Sequence, residues 1–589
     1  MTTDLSTMDA DSLIDACISA GLTVPPDLID DAQALRSMLA AYRLRQLRRE
    51  TQQAALRTGS SSTSTGFVTA RPSIQHTETE PTPLSTEEKI SHDKSVSQAK
   101  AGLRQEAEKE VERKPEKNSV AREGVINNEA DNDAAQPQSV TTASGITIHP
   151  IKILKNYTKP PKKYVYDDFV KYFNKRYQAI SGILRQRKEL ENVTSINRII
   201  GKRERESTAI IGIVSEKKEA KTKHTILTVE DPTGKIEVWL SANNREMTEV
   251  AREIVLDEVI GIIGQAAGDR MFANSIVFPD IPPTHELKKG AQEKYAIFVG
   301  DVHIGAKLFL KDEFEKFLLW LSGKVGTPEQ RKISERVAYV IFTGDLVEGV
   351  GIYPEQDLDL NIIDIRSQYA EFARYVKMIP SHLQVVLISG NHDAGRLQEP
   401  QGPIYKDFAQ DLYDMPNVHI LSNPCSFTID ESPSSPGFDV LLYHGYSLIY
   451  YANNVPAIRE AGGQKATDAI MKLLLRKRHL APTHGCNTYV PDPQEDPLVI
   501  DKVPDFFVTG HVHRVSFGNY RGVTMINASC WSEVSEEQEK RGLEPQPARL
   551  PVVNLRTREI RVMNFYHGSE EKKLAIQEAA AIAEKKEGA

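Results

Sequence analysis

The chain has 589 residues, a net charge of −8 and four widely separated cysteines. Its hydrophobic content of 40% and charged content of 26% are ordinary for a protein with several packed cores. No apolar run reaches the roughly 18 residues that a membrane span needs, and the acidic N-terminus excludes a secretory signal. The cysteines form no paired motif, which indicates a reducing, cytoplasmic setting and excludes a disulfide framework or zinc ribbon. Because the net charge is negative, any nucleic-acid binding must come from local basic patches.

Two segments of different composition make up the first 145 residues. Residues 1–50 carry apolar side chains at helical spacing on both sides of Pro25 and Pro26, which predicts a small helical docking module. Residues 51–145 are rich in Thr, Glu, Lys, Gln and Ser and almost lack aromatics, so they predict a disordered linker. A linker of this length lets the helical module search for a partner independently.

Residues 146–205 predict a basic helical connector with interleaved aromatics. The segment 169–187 has the pattern of an amphipathic helix with four aromatic side chains on or near one face: Phe169, Tyr172, Phe173 and Tyr177. Two interpretations stay open. The aromatics pack on the next domain, or the basic and aromatic side chains together contact the backbone of a nucleic acid.

Residues 206–285 contain five short strands separated by turn signals, with a helix between the third and fourth strands. This order predicts a β-barrel of the oligonucleotide/oligosaccharide-binding class, the OB-fold. Such barrels bind single strands through aromatic and basic side chains, but the candidate strands here carry few aromatics besides Trp239. A barrel that binds DNA and a barrel that docks a protein are therefore equally good interpretations.

Between residues 292 and 567, five apolar strands each end in a turn that places a glycine beside a polar side chain. In chain order these strand ends are GDVH (300–303), GD (344–345), GNHD (390–393), HG (444–445) and GHVH (510–513). Helical patterns lie between the first three strands, which predicts an α/β domain with one site at the carboxyl ends of its strands. One such strand end alone is more often a turn or a helix cap, but five in order favour a shared site.

The polar residues at these strand ends suit a two-metal centre. Asp301 and His303 offer a carboxylate and an imidazole to one ion, and Asp345 can bridge two ions about 3.5–4 Å apart. The remaining strand ends add four candidate ligands: Asn391, His444, His511 and His513. Mixed oxygen and nitrogen ligands without thiolates favour Mn²⁺, Fe or Zn²⁺ over Ca²⁺. We expect Mn²⁺, with Mg²⁺, Fe and Zn²⁺ as alternatives.

The motifs GDVH, GDLVEG, GNHDAG, YHGYS and GHVH, in this order, closely resemble those of the calcineurin-like metallophosphoesterase superfamily over about residues 295–565. The resemblance implies a two-sheet sandwich flanked by helices. With the preceding barrel and the segment 527–557, the chain resembles the small subunits of archaeal D-family DNA polymerases and, less directly, the B-subunits of eukaryotic replicative polymerases. In this chain every position of these metallophosphoesterase motifs keeps the family residue, whereas the eukaryotic B-subunits are described as having lost the motif residues.

This resemblance implies a 3′→5′ proofreading exonuclease that forms a heterodimer with a large catalytic subunit in DNA replication. The chain would hydrolyse phosphodiesters at 3′ ends of single-stranded DNA with two metals, while the complex carries out DNA synthesis. Primer–template DNA and, through the complex, a sliding clamp are further expected partners, and a membrane is not. The alternatives are a non-catalytic scaffold subunit and a free-standing metallonuclease or phosphatase.

Roles for individual residues follow from the same resemblance, position by position. One ion would be held by Asp301, His303, Asp345 and His513. The other would be held by Asp345, Asn391, His444 and His511, with Asp345 bridging. His392 matches the histidine that contacts the phosphate and protonates the leaving oxygen, and Asp393 matches the residue that orients it.

Three further features complete the sequence predictions. Arg396 and Arg514 lie just past two of the motifs, where each can contact a substrate phosphate or form a surface salt bridge. The C-terminal residues 568–589 predict a charged tail.

Overall fold

This computed structural model describes residues 139–200, 206–540 and 542–566. The predicted helical module at 1–50, the predicted linker as far as residue 138 and the predicted tail at 568–589 lie outside the described residues. The last part of the predicted linker is ordered into a small hairpin. There, strand β1 (Val140–Thr141) pairs antiparallel with strand β2 (Thr147–Ile148).

Three elements follow the hairpin: strand β3 (Lys152–Asn156), helix α1 (Tyr166–Leu184) and the short helix α2 (Ile196–Ile199). Helix α1 matches the predicted amphipathic helix, and its buried face includes Tyr172 and Arg176. Tyr172 stacks on Tyr489 with ring centroids 4.9 Å apart, and Phe169 meets the same ring edge-on. Phe169 and Tyr172 therefore pack on a folded domain, as in the first of the two interpretations, but this domain is the phosphoesterase-like part and not the barrel that comes next in the sequence.

The next segment forms a closed five-stranded barrel with one helix. Its elements are β4 (Glu206–Glu219), β5 (Thr225–Asp231), β6 (Gly234–Leu240), α3 (Arg245–Glu253), β7 (Val259–Ala267) and β8 (Arg270–Val277). Around the barrel the strand order is β4-β5-β6-β8-β7, and the pair β6–β8 is parallel while the others are antiparallel. The alternating side chains Ile236, Val238 and Leu240 fill the interior, which confirms the predicted barrel.

The phosphoesterase-like part contains the remaining described strands and α-helices. In chain order they are β9 (Tyr295–Val299), α4 (Lys311–Leu321), α5 (Pro328–Ser334), β10 (Val337–Phe342), α6 (Ile365–Val376), β11 (Gln384–Leu387), α7 (Lys406–Tyr413), β12 (Val418–Ile420), β13 (Cys425–Ile429), β14 (Phe438–Leu442), α8 (Leu448–Asn454), α9 (Pro456–Glu460), α10 (Thr467–Lys477), β15 (Phe506–Thr509), β16 (Ser516–Tyr520), β17 (Val523–Asn527), α11 (Glu536–Lys540), β18 (Arg549–Asn554) and β19 (Ile560–Asn564). All five strands predicted for this part are present. None of the helices within the described residues has both the length and the apolar composition needed to cross a membrane.

These strands form two six-stranded sheets. One has the order β12-β11-β10-β9-β18-β19, and the other has the order β16-β17-β15-β14-β13-β3. Strands β9, β10 and β11 are parallel, as are β14, β15 and β17, and all are almost wholly apolar and buried. Because parallel strands end at the same edge of a sheet, the predicted polar turns of each sheet are gathered at one edge.

One strand lies where the sequence predicted only a helical connector. Strand β3 pairs antiparallel with β13 and forms an edge of the second sheet. Its sequence, KILKN, is largely exposed and has no clear alternation of polar and apolar residues, so its extended conformation depends on the partner strand. The connector therefore contributes directly to the phosphoesterase sheet.

Buried charges join the barrel to helix α10. Lys477 lies 2.7 Å from Glu258, and both side chains are only 1% exposed. The Lys477 amine also lies 4.0 Å from the ring centroid of Phe278, just after the barrel. These contacts fix the barrel against the phosphoesterase sheets.

Candidate metal centre

The turns after β9, β10, β11, β14 and β15 converge on one buried site. Asp301, Asp345 and His444 are at most 1% exposed, and each follows a strand whose residues are nearly all buried. The two sheets are linked here, because the backbone N–H of His511 donates to the Asp301 carboxylate at 2.9 Å. The site thus lies where the carboxyl ends of the two sheets meet.

Asp301, His303 and His513 form the first group of potential metal ligands. Their nearest donor atoms lie within 4.8 Å of one another. The Nε2 atoms of His303 and His513 are 3.1 Å apart, and His513 Nε2 is 3.2 Å from the Asp301 carboxylate. Two imidazoles and one carboxylate therefore bring three potential ligand atoms close together.

The second group contains Asp345, His444 and His511, again with donor atoms within 4.8 Å. His444 Nε2 lies 3.0 Å from the Asn391 side-chain oxygen and 3.4 Å from the Asp345 carboxylate. All seven predicted ligands are consequently brought together at the edge of the sheets, in two neighbouring groups.

The protonation chemistry of the second group suits a cation. Burial would raise the pKa of Asp345, but His444 and His392 hold it well below its usual range, so the carboxylate stays ionised. Burial, together with the neighbouring His444, lowers the pKa of His511 to about 3, so its ring is neutral. Burial opposes charge on His444, but Asp345 outweighs it and raises the pKa of His444 to about 10. A proton on His444 thus occupies the position where a metal ion would compete.

The hydrogen bonds of the His444 ring also leave its Nε2 atom available to bind a metal. Its Nδ1 lies 2.9 Å from the Thr343 carbonyl oxygen, to which it donates. When a carbonyl takes the Nδ1 proton, Nε2 is the atom available as a ligand. Metallophosphoesterases use divalent metal ions, and this donor set of carboxylates, imidazoles and one amide oxygen fits them.

Backbone strain is present at four of the same residues. Four of the predicted ligands have positive φ angles: His303 (57°), Asp345 (47°), His511 (68°) and His513 (56°). Such left-handed conformations cost non-glycine residues on the order of 1–3 kcal/mol each, and they persist where the surrounding structure enforces them. Their clustering supports the functional assignment of this site.

Two glycines allow the loops to approach one another. A Cβ atom at Gly390 would come within 2.3 Å of the Asp345 carboxylate, and one at Gly510 within 2.5 Å of the Asp301 carboxylate. Any side chain at either position would push a candidate ligand away. The glycines beside the polar residues, visible in the sequence, thus have a steric explanation.

His392 lies beside the candidate metal ligands, and Glu348 contacts its ring. Its backbone N–H donates to Asp345 at 2.8 Å, and its Nδ1 lies 2.8 Å from the Glu348 carbonyl oxygen and 3.7 Å from the Glu348 carboxylate. The same carboxylate lies 2.7 Å from His303 Nδ1. Glu348 therefore positions both a candidate ligand and the candidate acid, a role that the sequence analysis did not assign although GDLVEG contains it.

Asp393 has a different set of partners from the one predicted. Its carboxylate accepts hydrogen bonds from the backbone N–H groups of Gly390 and Leu346 and from the Tyr369 hydroxyl. Burial, followed by Asp345, raises the pKa of Asp393 to about 7. Asp393 thus holds the loop that carries His392, while the contacts to the His392 ring come from Glu348.

The two candidate phosphate-binding arginines also have defined partners. Arg396 donates to the Pro400 carbonyl oxygen at 2.9 Å and lies over the Tyr157 ring, and within the described residues it has no carboxylate partner. Arg514 lies 3.4 Å from the carboxylate of Glu544, as the salt-bridge interpretation expected.

Fold and site together define a calcineurin-like phosphoesterase joined to a five-stranded barrel. Residues 296–515 match the family model described as calcineurin-like phosphoesterase. The chain belongs to the family of DNA polymerase II small subunits. The member from Methanothermobacter thermautotrophicus is 38% identical over 387 residues, which cover 66% of this chain and 77% of that protein.

Two further relatives carry the same name. The DNA polymerase II small subunit of Archaeoglobus fulgidus is 36% identical over 68% of this chain and 78% of that protein. The one from Pyrococcus furiosus is 36% identical over 69% of this chain and 66% of that protein. The predicted family resemblance is thereby confirmed.

Proposed function

We propose that this chain is the 3′→5′ exonuclease subunit of a heterodimeric replicative DNA polymerase. The relatives are named as small subunits, which supports a large catalytic partner that carries out DNA synthesis. The observation that carries the nuclease proposal is the convergence of all seven candidate ligands beside His392. A subunit used only as a scaffold has no need to maintain such a strained and charged site.

Two divalent ions, with Mn²⁺ as our expectation, would be held by the two groups of ligands. One would take Asp301, His303, Asp345 and His513, and the other Asp345, Asn391, His444 and His511. When bound, such ions supply positive charge for the phosphoryl oxygens and make water a stronger nucleophile near neutral pH. Asp345, the residue shared by both proposed ligand sets, is ionised and can therefore offer a charged carboxylate to the ions.

His392 is the proposed acid for the departing 3′ oxygen. With Nδ1 donating to the Glu348 carbonyl, Nε2 is the nitrogen left to deliver a proton. The Glu348 carboxylate places negative charge beside the ring. Asp393 contributes by fixing the loop through Gly390 and Leu346.

The test is release of nucleotides from the 3′ end of single-stranded DNA, with Mn²⁺ and with a chelator. We expect Asp345→Ala to reduce Mn²⁺-dependent release to background, because it removes the shared ligand. His392→Ala should lower kcat by roughly 10²–10⁴-fold. The matched control is Asp411→Ala, which removes a surface carboxylate paired with Lys377 and should leave the rate unchanged.

Undiminished nuclease activity in purified Asp345→Ala would contradict the site assignment. Inactive wild-type protein that still co-purifies with a large polymerase subunit would favour the scaffold alternative. An active protein that is strictly monomeric in its native extract would favour a free-standing nuclease.

A further inference from the structure

Tyr446 is an exposed aromatic side chain at the edge of the metal centre. Its exposed fraction is 41%, although His444 and Ser447 on either side are completely buried. Its ring lies beside that of His511, with centroids 5.5 Å apart and the planes tilted by 48°. One large apolar surface thus projects into solvent next to a candidate metal ligand.

Neighbouring residues restrain the backbone on both sides of Tyr446. Gly445 follows His444 and has a φ angle of 112°, a backbone conformation that would be strained for a residue with a side chain. On the other side, the backbone N–H of Ser447 donates to the Tyr443 hydroxyl oxygen at 3.1 Å, and the Ser447 hydroxyl donates to the Leu480 carbonyl oxygen at 2.6 Å. Tyr446 is therefore presented by a fixed turn between β14 and α8.

Neither the core nor a polar network of the described chain uses the free face of this ring. By contrast, Tyr353, another partly exposed tyrosine near the site, directs its hydroxyl at Glu348 and Asp359. A rigid, exposed aromatic ring is the surface on which a nucleobase stacks, and such stacking tolerates any base. A small phosphodiester without a base would gain nothing from it.

We propose that Tyr446 stacks on a base next to the scissile phosphodiester and so positions the 3′ end of a single strand in the metal centre. This proposal rests on the proposed nuclease function and specifies its substrate. The site would select nucleotides over small phosphodiesters, whatever the base. Tyr446 acts in this scheme as a substrate-positioning residue, through its ring face and without its hydroxyl.

The first test compares two single-stranded substrates, an oligodeoxythymidylate and the same strand with tetrahydrofuran abasic analogues at its last two positions. Wild type should prefer the ordinary 3′ end by roughly ten- to a hundredfold in kcat/KM. Tyr446→Ala should lose this preference, because only the ordinary end loses a contact, while Tyr446→Phe should keep it. The matched control, Tyr166→Ala, removes a tyrosine that is 84% exposed at the start of α1 and should behave as wild type.

The second test does not depend on hydrolysis. The 3′-terminal base is replaced by 2-aminopurine, whose fluorescence falls on stacking, and the strand is bound to protein in chelator. Wild type and Tyr446→Phe should quench the emission, and Tyr446→Ala should not. If wild type hydrolyses no DNA, the nuclease proposal fails while this arm still decides the stacking proposal.

Three results would overturn the stacking proposal. The first is a preference for the ordinary 3′ end that is unchanged in Tyr446→Ala, and the second is a loss of this preference in Tyr446→Phe as large as in Tyr446→Ala, which would point to the hydroxyl. The third is a lack of 2-aminopurine quenching by the wild-type protein. Thermal unfolding of each variant shows that it is folded, and Tyr446→Leu provides a second test of the ring.

Discussion

At the scale of single residues, His479 is held as a neutral imidazole beneath helix α1. Its Nε2 donates to the Asp496 carboxylate at 2.8 Å, and its Nδ1 accepts the backbone N–H of Ala481 at 2.9 Å. Arg176 of α1 donates to the same carboxylate at 2.7 Å. Burial, followed by the charge of Arg176, lowers the pKa of His479 to about 4.

The depressed pKa makes stability depend on pH. Since an unfolded histidine has a pKa of about 6.5, between that value and about 4 the unfolded chain binds a proton that the folded chain does not. The contribution of His479 to the free energy of unfolding is therefore full above about pH 6.5 and is lost as the pH falls towards 4, by up to roughly 3 kcal/mol. Urea unfolding of wild type and His479→Gln, which keeps a donor for Asp496, should show a flatter pH dependence in the variant.

The partly exposed histidine His285, whose ring nitrogen lies 3.0 Å from the Arg521 carbonyl oxygen, supplies the control, because His285→Gln should retain the wild-type pH dependence. If the free energy of unfolding has the same pH dependence in wild type and His479→Gln between pH 4 and 6.5, His479 is not the source of that dependence.

At the scale of elements, the junction between the barrel and helix α10 depends on a buried ion pair. Glu258 accepts from Lys477 and from the backbone N–H of Val255 at 2.8 Å. Glu258→Ala leaves the Lys477 amine buried without its carboxylate, which costs about 3–5 kcal/mol. Because burial already lowers the pKa of Lys477, the amine can release its proton, so we expect the lower end of that range. Chemical denaturation of wild type and Glu258→Ala measures this difference in the free energy of unfolding.

A second ion pair, between barrel helix α3 and helix α9, is the control. Glu460 pairs with Arg252, but its side chain is 67% exposed. Glu460→Ala should change the free energy of unfolding by about 1 kcal/mol or less, since solvent screens exposed pairs. Similar losses of the free energy of unfolding in both variants would mean that burial does not explain the stabilisation by the Glu258–Lys477 pair.

At the scale of the whole molecule, metal binding should stabilise the folded chain. The candidate ligands come from both sheets, so a metal site cannot survive their separation, and a bound ion favours the folded state. Mn²⁺ at a hundred times its Kd should add about 2.7 kcal/mol to the free energy of unfolding. Thermal unfolding in chelator and in Mn²⁺ checks this for wild type and for Asp345→Ala, in which most of the gain should disappear.

For this measurement, Asp411→Ala should respond to Mn²⁺ as wild type does. Stabilisation of Asp345→Ala by the full wild-type amount would place the metal elsewhere. The result is independent of nuclease activity, so it tests the metal centre even in a subunit used only as a scaffold.

Much of the fold and candidate site could be predicted from local patterns. The buried strands are short apolar runs, and the candidate ligands are the polar residues that directly follow them, as Asp301 follows β9. Strand β3 could not be predicted, because its exposed residues become extended only by pairing with β13. The roles of Arg396 and Asp393 depended on which partners the fold placed beside them.

The sequence by itself determined the five strands that carry the site, the seven candidate ligands and the family, since these depend on residue types and their spacing along the chain. Only the tertiary structure decided that Glu348 contacts both His303 and His392. It also decided that α1 packs on the phosphoesterase-like part and that Tyr446 is exposed beside His511. Those facts concern side chains that are distant in sequence or buried to different extents. Distance and burial are set by the packing of two sheets, which no local pattern specifies.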